Sequence, residues 1–381
     1  MNIFKNRRFL WLTTLAAAAL LTLTACSSKP EPSLGEGEMK LGPLPPVSAP
    51  PDNPTTPEKV ELGKVLYWDG RLSGDLSTPC AVCHLPEKGW GDGNSMSRGY
   101  PGTKHWRNSQ TVLNSAYYVK LFWAGEVTSL EAQANSAATG NVAGNADKQM
   151  AEERLRQVPE YLKRWQEVFG HEPTWDTAMK AIAAFERTIV SKNVPFDKYA
   201  QGDKNAISTT AKEGLALFTG KANCIQCHNG AFFTNQSFAA IGTPRNPELD
   251  TDAQRQITLR FQHYGRGMDE DEYRKADRDL GLFYVTKREE DKHKFRVPTL
   301  REVSITGPYM HNGVFKTLEE VVAFYNQGGG DVPNKDPRIK PLNLTSKEQK
   351  ALVEFLKTLT GDPIIVERPE LPPYAPGIPG K

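Results

Sequence analysis

Two copies of one short motif constrain this chain more than any other feature. They are Cys80-Ala-Val-Cys83-His84 and Cys224-Ile-Gln-Cys227-His228, and they lie in separate halves of the sequence. The pattern C-x-x-C-H is the attachment motif of c-type haem. Its two thiols bond the two vinyl groups of one porphyrin, and the adjacent His ligates the iron from the proximal side. The sequence therefore predicts two covalently bound c-type haems.

The alternative for these four cysteines is a zinc site. Zinc-ribbon cysteine pairs usually lie about 15–20 residues apart, far closer than these pairs, and they do not need the following His. The chain has only 5 cysteines, and the fifth, Cys26, falls in a segment of different character. The distance between the motifs and their histidines favours haem over zinc.

The first 25 residues have the pattern of a targeting segment. Three basic residues precede an apolar run from Phe9 to about Leu23, which is short for a membrane span. Leu23-Thr24-Ala25-Cys26 is similar to a bacterial lipobox, so we expect residues 1–25 to be a lipoprotein signal peptide and Cys26 to be lipidated. Ser27 favours the outer membrane, on the periplasmic side of the cell envelope. The alternative is a secretory signal cut near Ala25 that leaves Cys26 free.

The remaining sequence predicts a mainly α fold with two cytochrome c-like domains, each with one haem. The 47 basic and 45 acidic residues leave no charge excess, which argues against a nucleic-acid partner. Helices are expected around Val60–Tyr67, after Pro159, from Trp175, after a cap at Thr209 or Thr210, and from Ser346 with Gln349 in a capping box. The predicted divisions are a Pro-rich tether over 26–57, haem domains over 58–205 and 206–365, and a Pro-rich tail over 366–381.

Further stretches around these motifs resemble the bacterial di-haem cytochrome c peroxidase and MauG superfamily. The resemblance runs from about Glu58 to Gly361. Its stretches include Trp68-Asp-Gly-Arg-Leu-Ser, Arg107-Asn108, Thr111-Val-Leu-Asn114, Phe122-Trp123, Ser129-Leu-Glu-Ala-Gln133, Val297-Pro-Thr-Leu-Arg301, Thr306-Gly-Pro308-Tyr-Met-His311-Asn-Gly313 and Thr317-Leu-Glu-Glu-Val321.

The resemblance implies a role for each haem and for two nearby side chains. His84 would be the proximal ligand of the haem that meets hydrogen peroxide, and His228 that of the electron-transfer haem. Trp123 matches the Trp that lies between the two porphyrins, although a core aromatic residue would fit the same position. Gln133, ten residues later, matches the distal-pocket Gln, with a surface helical Gln as the alternative.

The resemblance also implies a calcium ion at the interface between the domains. Asn108, Thr306 and Pro308 match its ligands, the last two through carbonyl oxygens. Ligation by oxygen alone suits calcium, but Asn and Pro are also ordinary loop residues.

The sequence departs from the family at both irons. Where many members have a His that caps the resting first iron, this chain has Tyr100, so we expect that iron to be open; His105 is the alternative cap. Where peroxidases have a Met ligand to the second iron, this chain has Tyr325, as MauG-like members do. The alternatives for that ligand are Met310 and Met268.

A third departure concerns acid–base chemistry. The family's distal Glu, which moves a proton during peroxide cleavage, falls at Ala143, and no carboxylate occurs from Ala132 to Ala146. Gln149 cannot act as a base, whereas Asp147, Glu152 or Glu153 could fold into the pocket. Loss of such a group typically lowers a rate by about 10²–10⁴.

Two functions follow from these expectations. The first is a MauG-like oxidoreductase that reduces hydrogen peroxide, with electrons from a small redox protein or from residues of a protein substrate. The second, favoured by the missing Glu, is an envelope-anchored electron-transfer cytochrome without efficient peroxidase activity.

Overall fold

Helices form most of the regular structure, as the sequence predicts. The computed structural model describes residues 31–100 and 102–377, so the expected signal peptide and Cys26 lie outside the described residues. The α-helices are α1 Pro57–Tyr67, α2 Cys80–Cys83, α3 Leu130–Thr139, α4 Lys148–Arg156, α5 Pro159–Phe169, α6 Trp175–Glu186, α7 Pro195–Ala200, α8 Thr209–Thr219, α9 Glu248–Thr251, α10 Ala253–Gly265, α11 Glu270–Arg274, α12 Phe283–Thr286, α13 Leu318–Asn326 and α14 Ser346–Lys357.

Strand structure is confined to one short antiparallel pair in the described part of the chain. β1 Phe238–Ala239 pairs with β2 Phe295–Arg296, so that Phe238 lies opposite Arg296. Over the same residues, no helix is both long enough and apolar enough to cross a membrane.

Local sequence explains where the main helices begin. Pro57 occupies the first turn of α1, and the hydroxyl of Thr56 accepts a hydrogen bond from the Lys59 amide. For α8 the cap is Ser208, one residue before the predicted threonines.

The capping box of the last helix also differs by one residue from the prediction. It is formed by Thr345 and Glu348 instead of Ser346 and Gln349. Both pairs fit the sequence pattern, but a carboxylate accepts the amide hydrogen bond more strongly than a side-chain amide does.

Two hydrophobic clusters form the core. The first joins α1, α5 and α6 around Leu66, Tyr67, Trp165 and Phe185. The second joins α8, α13 and α14, and it also includes Val194, Phe196 and Tyr199 from α7 and the residues just before it. Because Phe196 packs against Phe355 of α14, with ring centroids 5.7 Å apart, α7 belongs to the second core although the predicted boundary lies at residue 205.

The described part of the predicted tether packs against the folded body. Leu41 is buried in the second cluster, and Arg301 donates a hydrogen bond to the Gly42 carbonyl. The side chain of Asn53 is fully buried, donating to Glu131 of α3 and accepting from Lys59 of α1. Within the predicted tether over 26–57, apolar and amide side chains between the prolines therefore contact the domain.

The predicted tail and the residues just before it also contact the body. Trp90 donates its indole N–H to the Ile364 carbonyl, and Val366 and Leu371 pack on the first cluster. The Arg71 guanidinium donates to the Pro372 carbonyl and lies 4.3 Å from the centre of the Tyr374 ring. After α14, the last helix of the second cluster, the chain thus returns to the first cluster.

Candidate haem sites

Both C-x-x-C-H motifs line one continuous cavity with a volume of about 770 Å³. Its walls are mainly apolar, as expected for a cofactor site. The predicted residues that line it together are Cys80, Cys83, His84, Asn108, Trp123, Gln133, Cys224, Cys227, His228, Thr306, Pro308 and Tyr325. The fold therefore brings together side chains from both halves of the chain.

The first motif presents a fixed imidazole to this cavity. Cys80 and Cys83 begin and end α2, and His84 follows as its C-terminal cap. The Nδ1 atom of His84 lies 3.2 Å from the carbonyl oxygen of Trp90, and Tyr67 donates its hydroxyl to the His84 carbonyl. Because Nδ1 is held by a carbonyl, Nε2 is left as the ligand atom.

The second motif has the same arrangement. The Nδ1 atom of His228 lies 3.2 Å from the carbonyl oxygen of Phe233. Burial lowers the pKa of His84, and it lowers the pKa of His228 to about 4. Both imidazoles are therefore neutral at physiological pH, which is the form that ligates a metal.

The four thiols are available for haem attachment. All four are free and partly buried. Burial raises the pKa of Cys80 and of Cys224 to about 12 each, so these thiols are neutral in this environment. No group of three or more His, Cys, Asp or Glu side chains that could hold a metal occurs within residues 31–100 and 102–377.

A buried cation in the cavity wall also fits haem. The Nη1 atom of Arg296 is buried and has no hydrogen-bond partner in the described part of the chain. Its guanidinium stacks 3.5 Å from the centre of the Tyr118 ring, while Nε donates to the Phe122 carbonyl. An unpaired buried guanidinium is costly, and a haem propionate would supply the missing acceptor.

Trp123 connects residues of both halves at the cavity wall. Its Nε1 donates to the Asn108 carbonyl at 2.9 Å, and its ring lies edge-on to that of His311 with 6.5 Å between centroids. His311 in turn stacks on Phe295 at 3.7 Å. The indole is therefore held in one orientation by a hydrogen bond and an aromatic contact.

Gln133 and Ala143 both line the cavity, Gln133 on α3 and Ala143 in the loop that follows it.

The three carboxylates that could take the place of the missing distal Glu do not line the cavity. Asp147 caps α4 by accepting from the Met150 amide at 2.8 Å. Glu152 accepts from the Trp175 amide, and Glu153 pairs with Arg156 on the surface. Gln149 also lies outside the cavity wall.

The two candidates for capping the first iron differ in position. The Tyr100 ring packs beside Gly74 and not in the cavity wall. His105 lines the cavity, but its Nδ1 accepts the Arg107 amide at 3.1 Å. The remaining proton of this neutral imidazole is then on Nε2, which makes that nitrogen a donor and not a ligand.

Two of the three candidate ligands for the second iron line the cavity. Tyr325 of α13 and Met310 both do so, whereas Met268 does not. Burial raises the pKa of the Tyr325 phenol, and the Cys224 and Cys227 thiols add to this effect. The phenol therefore lies within electrostatic range of the second attachment motif.

All three predicted calcium ligands, Asn108, Thr306 and Pro308, line the same cavity. The side-chain amide of Asn108 donates a hydrogen bond to the Asn94 carbonyl at 2.9 Å, and the backbone amide of Asn108 donates to the His311 carbonyl.

An ion pair that the sequence did not reveal fixes the loop that contains Arg107 and Asn108. Arg107 is buried and donates from both Nε and Nη2 to the carboxylate of Asp279, while Nη1 pairs with Glu126. The Arg107 guanidinium holds the pKa of Asp279 well below its usual range, against the opposing effect of burial. No local sequence signal links residues so distant in the chain.

Glu186 was also missed, although the sequence contained a signal. Ile182, Phe185, Glu186 and Ile189 have the i, i+3, i+4, i+7 spacing of one buried helical face. A carboxyl on such a face is unusual. Glu186 is 5% exposed and lines the cavity.

The helical fold and the paired haem-binding motifs define a di-haem c-type cytochrome. The family described as "Di-haem cytochrome c peroxidase" matches residues 57–205. The chain is 56% identical over 363 residues to cytochrome-c peroxidase IdrP1 of Denitromonas iodatirespirans, covering 94% of this chain and 96% of the relative. The chain belongs to the di-haem cytochrome c peroxidase and MauG family, and it is an oxidoreductase of that family with two c-type haems.

Two further relatives support the same assignment. The chain is 37% identical to methylamine utilization protein MauG of Methylorubrum extorquens, covering 86% of this chain and 85% of MauG. A crystal structure of a MauG-like protein associated with microbial copper homeostasis superposes with a TM-score of 0.71 at 30% identity, covering 84% of this chain and 94% of that one. The predicted fold class is thereby confirmed.

Proposed function

We propose that this protein reduces hydrogen peroxide at the haem attached to Cys80 and Cys83. Electrons come from a small redox protein, or from residues of a protein substrate, and pass through the haem attached to Cys224 and Cys227. The observation that carries this proposal is the single cavity that both motifs line. When bound, the haem iron supplies the redox chemistry, and the protein supplies ligands, burial and orientation.

The residues of the chain have distinct tasks in this proposal. His84 ligates the first iron through Nε2, because its Nδ1 is held by the Trp90 carbonyl. The Gln133 amide orients peroxide on the distal side. The absence of a His at residue 100 and the donor state of His105 support an open first iron.

Trp123 is proposed to carry electrons between the two haems. Its support is the pair of contacts that hold the indole, one to Asn108 and one to His311. Tyr325 is proposed as the ligand to the second iron. As a hard anionic donor, a phenolate favours the higher oxidation states of iron.

A peroxide assay tests the proposal. The holoprotein is mixed with hydrogen peroxide and a reduced small c-type cytochrome, and oxidation of that donor is followed at its absorption band. We expect peroxide-dependent oxidation that Trp123→Phe slows. Donor oxidation that does not depend on peroxide would contradict the proposal.

One observation favours a second function, that of an electron-transfer cytochrome. Ala143 occupies the cavity wall where the family has its distal Glu, so peroxide cleavage lacks the usual proton carrier. This function predicts two haems that exchange electrons with a redox partner and a ferric Soret band that peroxide leaves unchanged.

We also propose that lipidation at Cys26 anchors the protein to the outer membrane, on the periplasmic side. Covalent c-type haem attachment, which occurs outside the cytoplasm, and the lipobox-like sequence support this location. Metabolic labelling with a clickable fatty acid should mark the protein, and Cys26→Ser should remove the label.

Calcium is proposed as a further cofactor at Asn108, Thr306 and Pro308. Its support is the resemblance of these residues to the family's ligands and their shared cavity. Elemental analysis of the purified holoprotein should find one calcium per chain, and Asn108→Ala should lower that content.

A further inference from the structure

Each haem domain contains a close crossing of two helices, and the two crossings correspond residue for residue. A methyl group added at Gly63 of α1 would lie 1.9 Å from the carbonyl oxygen of Ala181 in α6. A methyl group added at Gly214 of α8 would lie 2.0 Å from the carbonyl oxygen of Ala351 in α14. In each domain a glycine lets the two backbones touch. Gly63 is therefore equivalent to Gly214, and Ala181 to Ala351.

By this correspondence, Glu186 of the first domain is equivalent to Leu356 of the second domain. Each lies five residues after the alanine of its crossing, and both line the haem cavity. Four residues after the glycines, Tyr67 is likewise equivalent to Phe218. The second domain packs its haem wall with apolar side chains at positions where the first has a carboxyl and a phenol. Packing alone thus does not require a Glu at residue 186.

The carboxyl of Glu186 is buried and incompletely hydrogen-bonded. Its Oε2 atom has no hydrogen-bond partner among the residues that the structure describes. Burial raises the pKa of Glu186 to about 8; Arg187 acts in the opposite direction, and Glu131 adds to the rise. A buried carboxylate with no partner is much more costly than the neutral acid, so the group holds a proton at neutral pH.

Four charged or titratable groups interact electrostatically with Glu186. These are Tyr67 from α1, Cys80 from α2, Glu131 from α3 and Arg187, which follows α6. Arg187 donates from Nη2 to Glu131 at 2.7 Å, whereas its Nη1 has no hydrogen-bond partner among the described residues. Burial raises the pKa of Cys80, and the Glu186 carboxyl raises it further.

The Glu186 carboxyl lies within electrostatic range of the Cys80 thiol. Because Cys80 would bond a vinyl group of the first haem, and vinyl and propionate groups stand on different edges of a porphyrin, a propionate would not serve as the partner of this carboxyl.

We propose that Glu186 holds a transferable proton in the first haem pocket and delivers it during peroxide reduction, in place of the carboxylate missing at Ala143. This inference rests on the proposed function. Reduction of one hydrogen peroxide to two waters breaks the O–O bond and consumes two electrons and two protons. The donor supplies the electrons, the Glu186 O–H supplies one proton to a departing oxygen, and solvent supplies the other. Solvent then reprotonates the carboxylate.

The test compares holoprotein variants by infrared spectroscopy and by peroxide kinetics. Glu186→Gln keeps the shape of the side chain but removes the acidic proton, and Glu186→Leu installs the residue of the second domain. Glu354→Gln is the matched control, because Glu354 lies on the surface of α14 in a pair with Lys357. Haem content is measured first, and if Glu186→Gln does not bind two haems, Glu186→Leu replaces it.

In the wild type we expect the infrared C=O band of a protonated carboxyl, lost as the pH rises through about 8 and absent in both Glu186 variants. At pH 7 the reaction with peroxide should slow about 100-fold in these variants, at the lower end of the effects of acid–base groups. The wild-type rate should fall through the same pH range, whereas the residual rate of the variants should not. The control should match the wild type.

Two results would overturn the inference in distinguishable ways. If a Glu186 variant with two haems retains the wild-type rate and pH profile, Glu186 carries no proton to peroxide, and the proposed function stands. If the wild type itself does not react with peroxide, the proposed function fails, and the proton transfer fails with it.

Discussion

The Nδ1 atom of His84 lies 3.2 Å from the carbonyl oxygen of Trp90, and the first haem site depends on this relationship. The contact directs Nε2 toward the cavity and fixes the tautomer of the imidazole. His228 and Phe233 repeat it at the same distance. Backbone carbonyls that follow each motif thus orient both imidazoles.

Each C-x-x-C-H motif should bind its haem independently of the other motif. Replacing Cys80 and Cys83 with Ser removes the thiols that bond the first porphyrin, so the variant should retain one covalent haem instead of two. Replacing Cys224 and Cys227 should have the same effect on the other haem. Intact-protein mass spectrometry checks both. A zinc-containing chain without haem mass would exclude this account.

Tyr325→Met should raise the reduction potential of the second haem. A neutral soft thioether replaces an anionic hard donor, which favours Fe(II). We expect a rise on the order of 100 mV, a small part of the roughly 0.8 V range that axial ligands span. Spectroelectrochemical titration measures it, with Met310→Leu as the control. If Met310→Leu changes the potential and Tyr325→Met does not, Met310 is the ligand.

Ala143→Glu should speed the reaction with peroxide, because it restores a carboxyl at the family's distal position. We expect an increase of roughly tenfold or more in the wild type, and a partial rescue of Glu186→Gln. Stopped-flow absorbance at the Soret band checks both rates. Unchanged rates in both backgrounds would mean that residue 143 does not reach the reacting oxygen.

Gly214→Ala should destabilise the second domain. Its new methyl group would lie 2.0 Å from the Ala351 carbonyl, so α8 and α14 must move apart. Such overpacking costs about 1–3 kcal/mol, which exceeds the gain in helix propensity of about 1 kcal/mol. Gly265→Ala in α10 is the control, because a methyl group there meets nothing within 4 Å. Denaturant unfolding of both holoproteins should show a lower midpoint for Gly214→Ala alone.

The sequence predicted those parts of the fold that depend on local patterns. The apolar faces of α1 and α6 and the start of α5 at Pro159 were recognised from residue spacing. The haem motifs were recognised because their chemistry requires adjacent residues. Local patterns left the helix caps uncertain by one residue, because Thr345 and Ser346 satisfy the same rule.

Long-range contacts could not be predicted in this way. The docking of Ile364 on Trp90 and the ion pair between Arg107 and Asp279 join residues far apart in the chain. Periodicity indicates that a face is buried but not which face meets it. Glu186 is different, since a carboxyl within an apolar helical face was visible in the sequence and its significance became clear from the comparison with Leu356.

The reaction of the ferric holoprotein with hydrogen peroxide tests the central claim most directly. Stopped-flow spectra of the Soret band are recorded for the wild type and for the variant with Ser at residues 80 and 83, which keeps the second haem. We predict that peroxide rapidly changes the wild-type band and leaves that of the variant unchanged. An unreactive wild type, or a variant that reacts as fast as the wild type, would contradict peroxide reduction at the first haem.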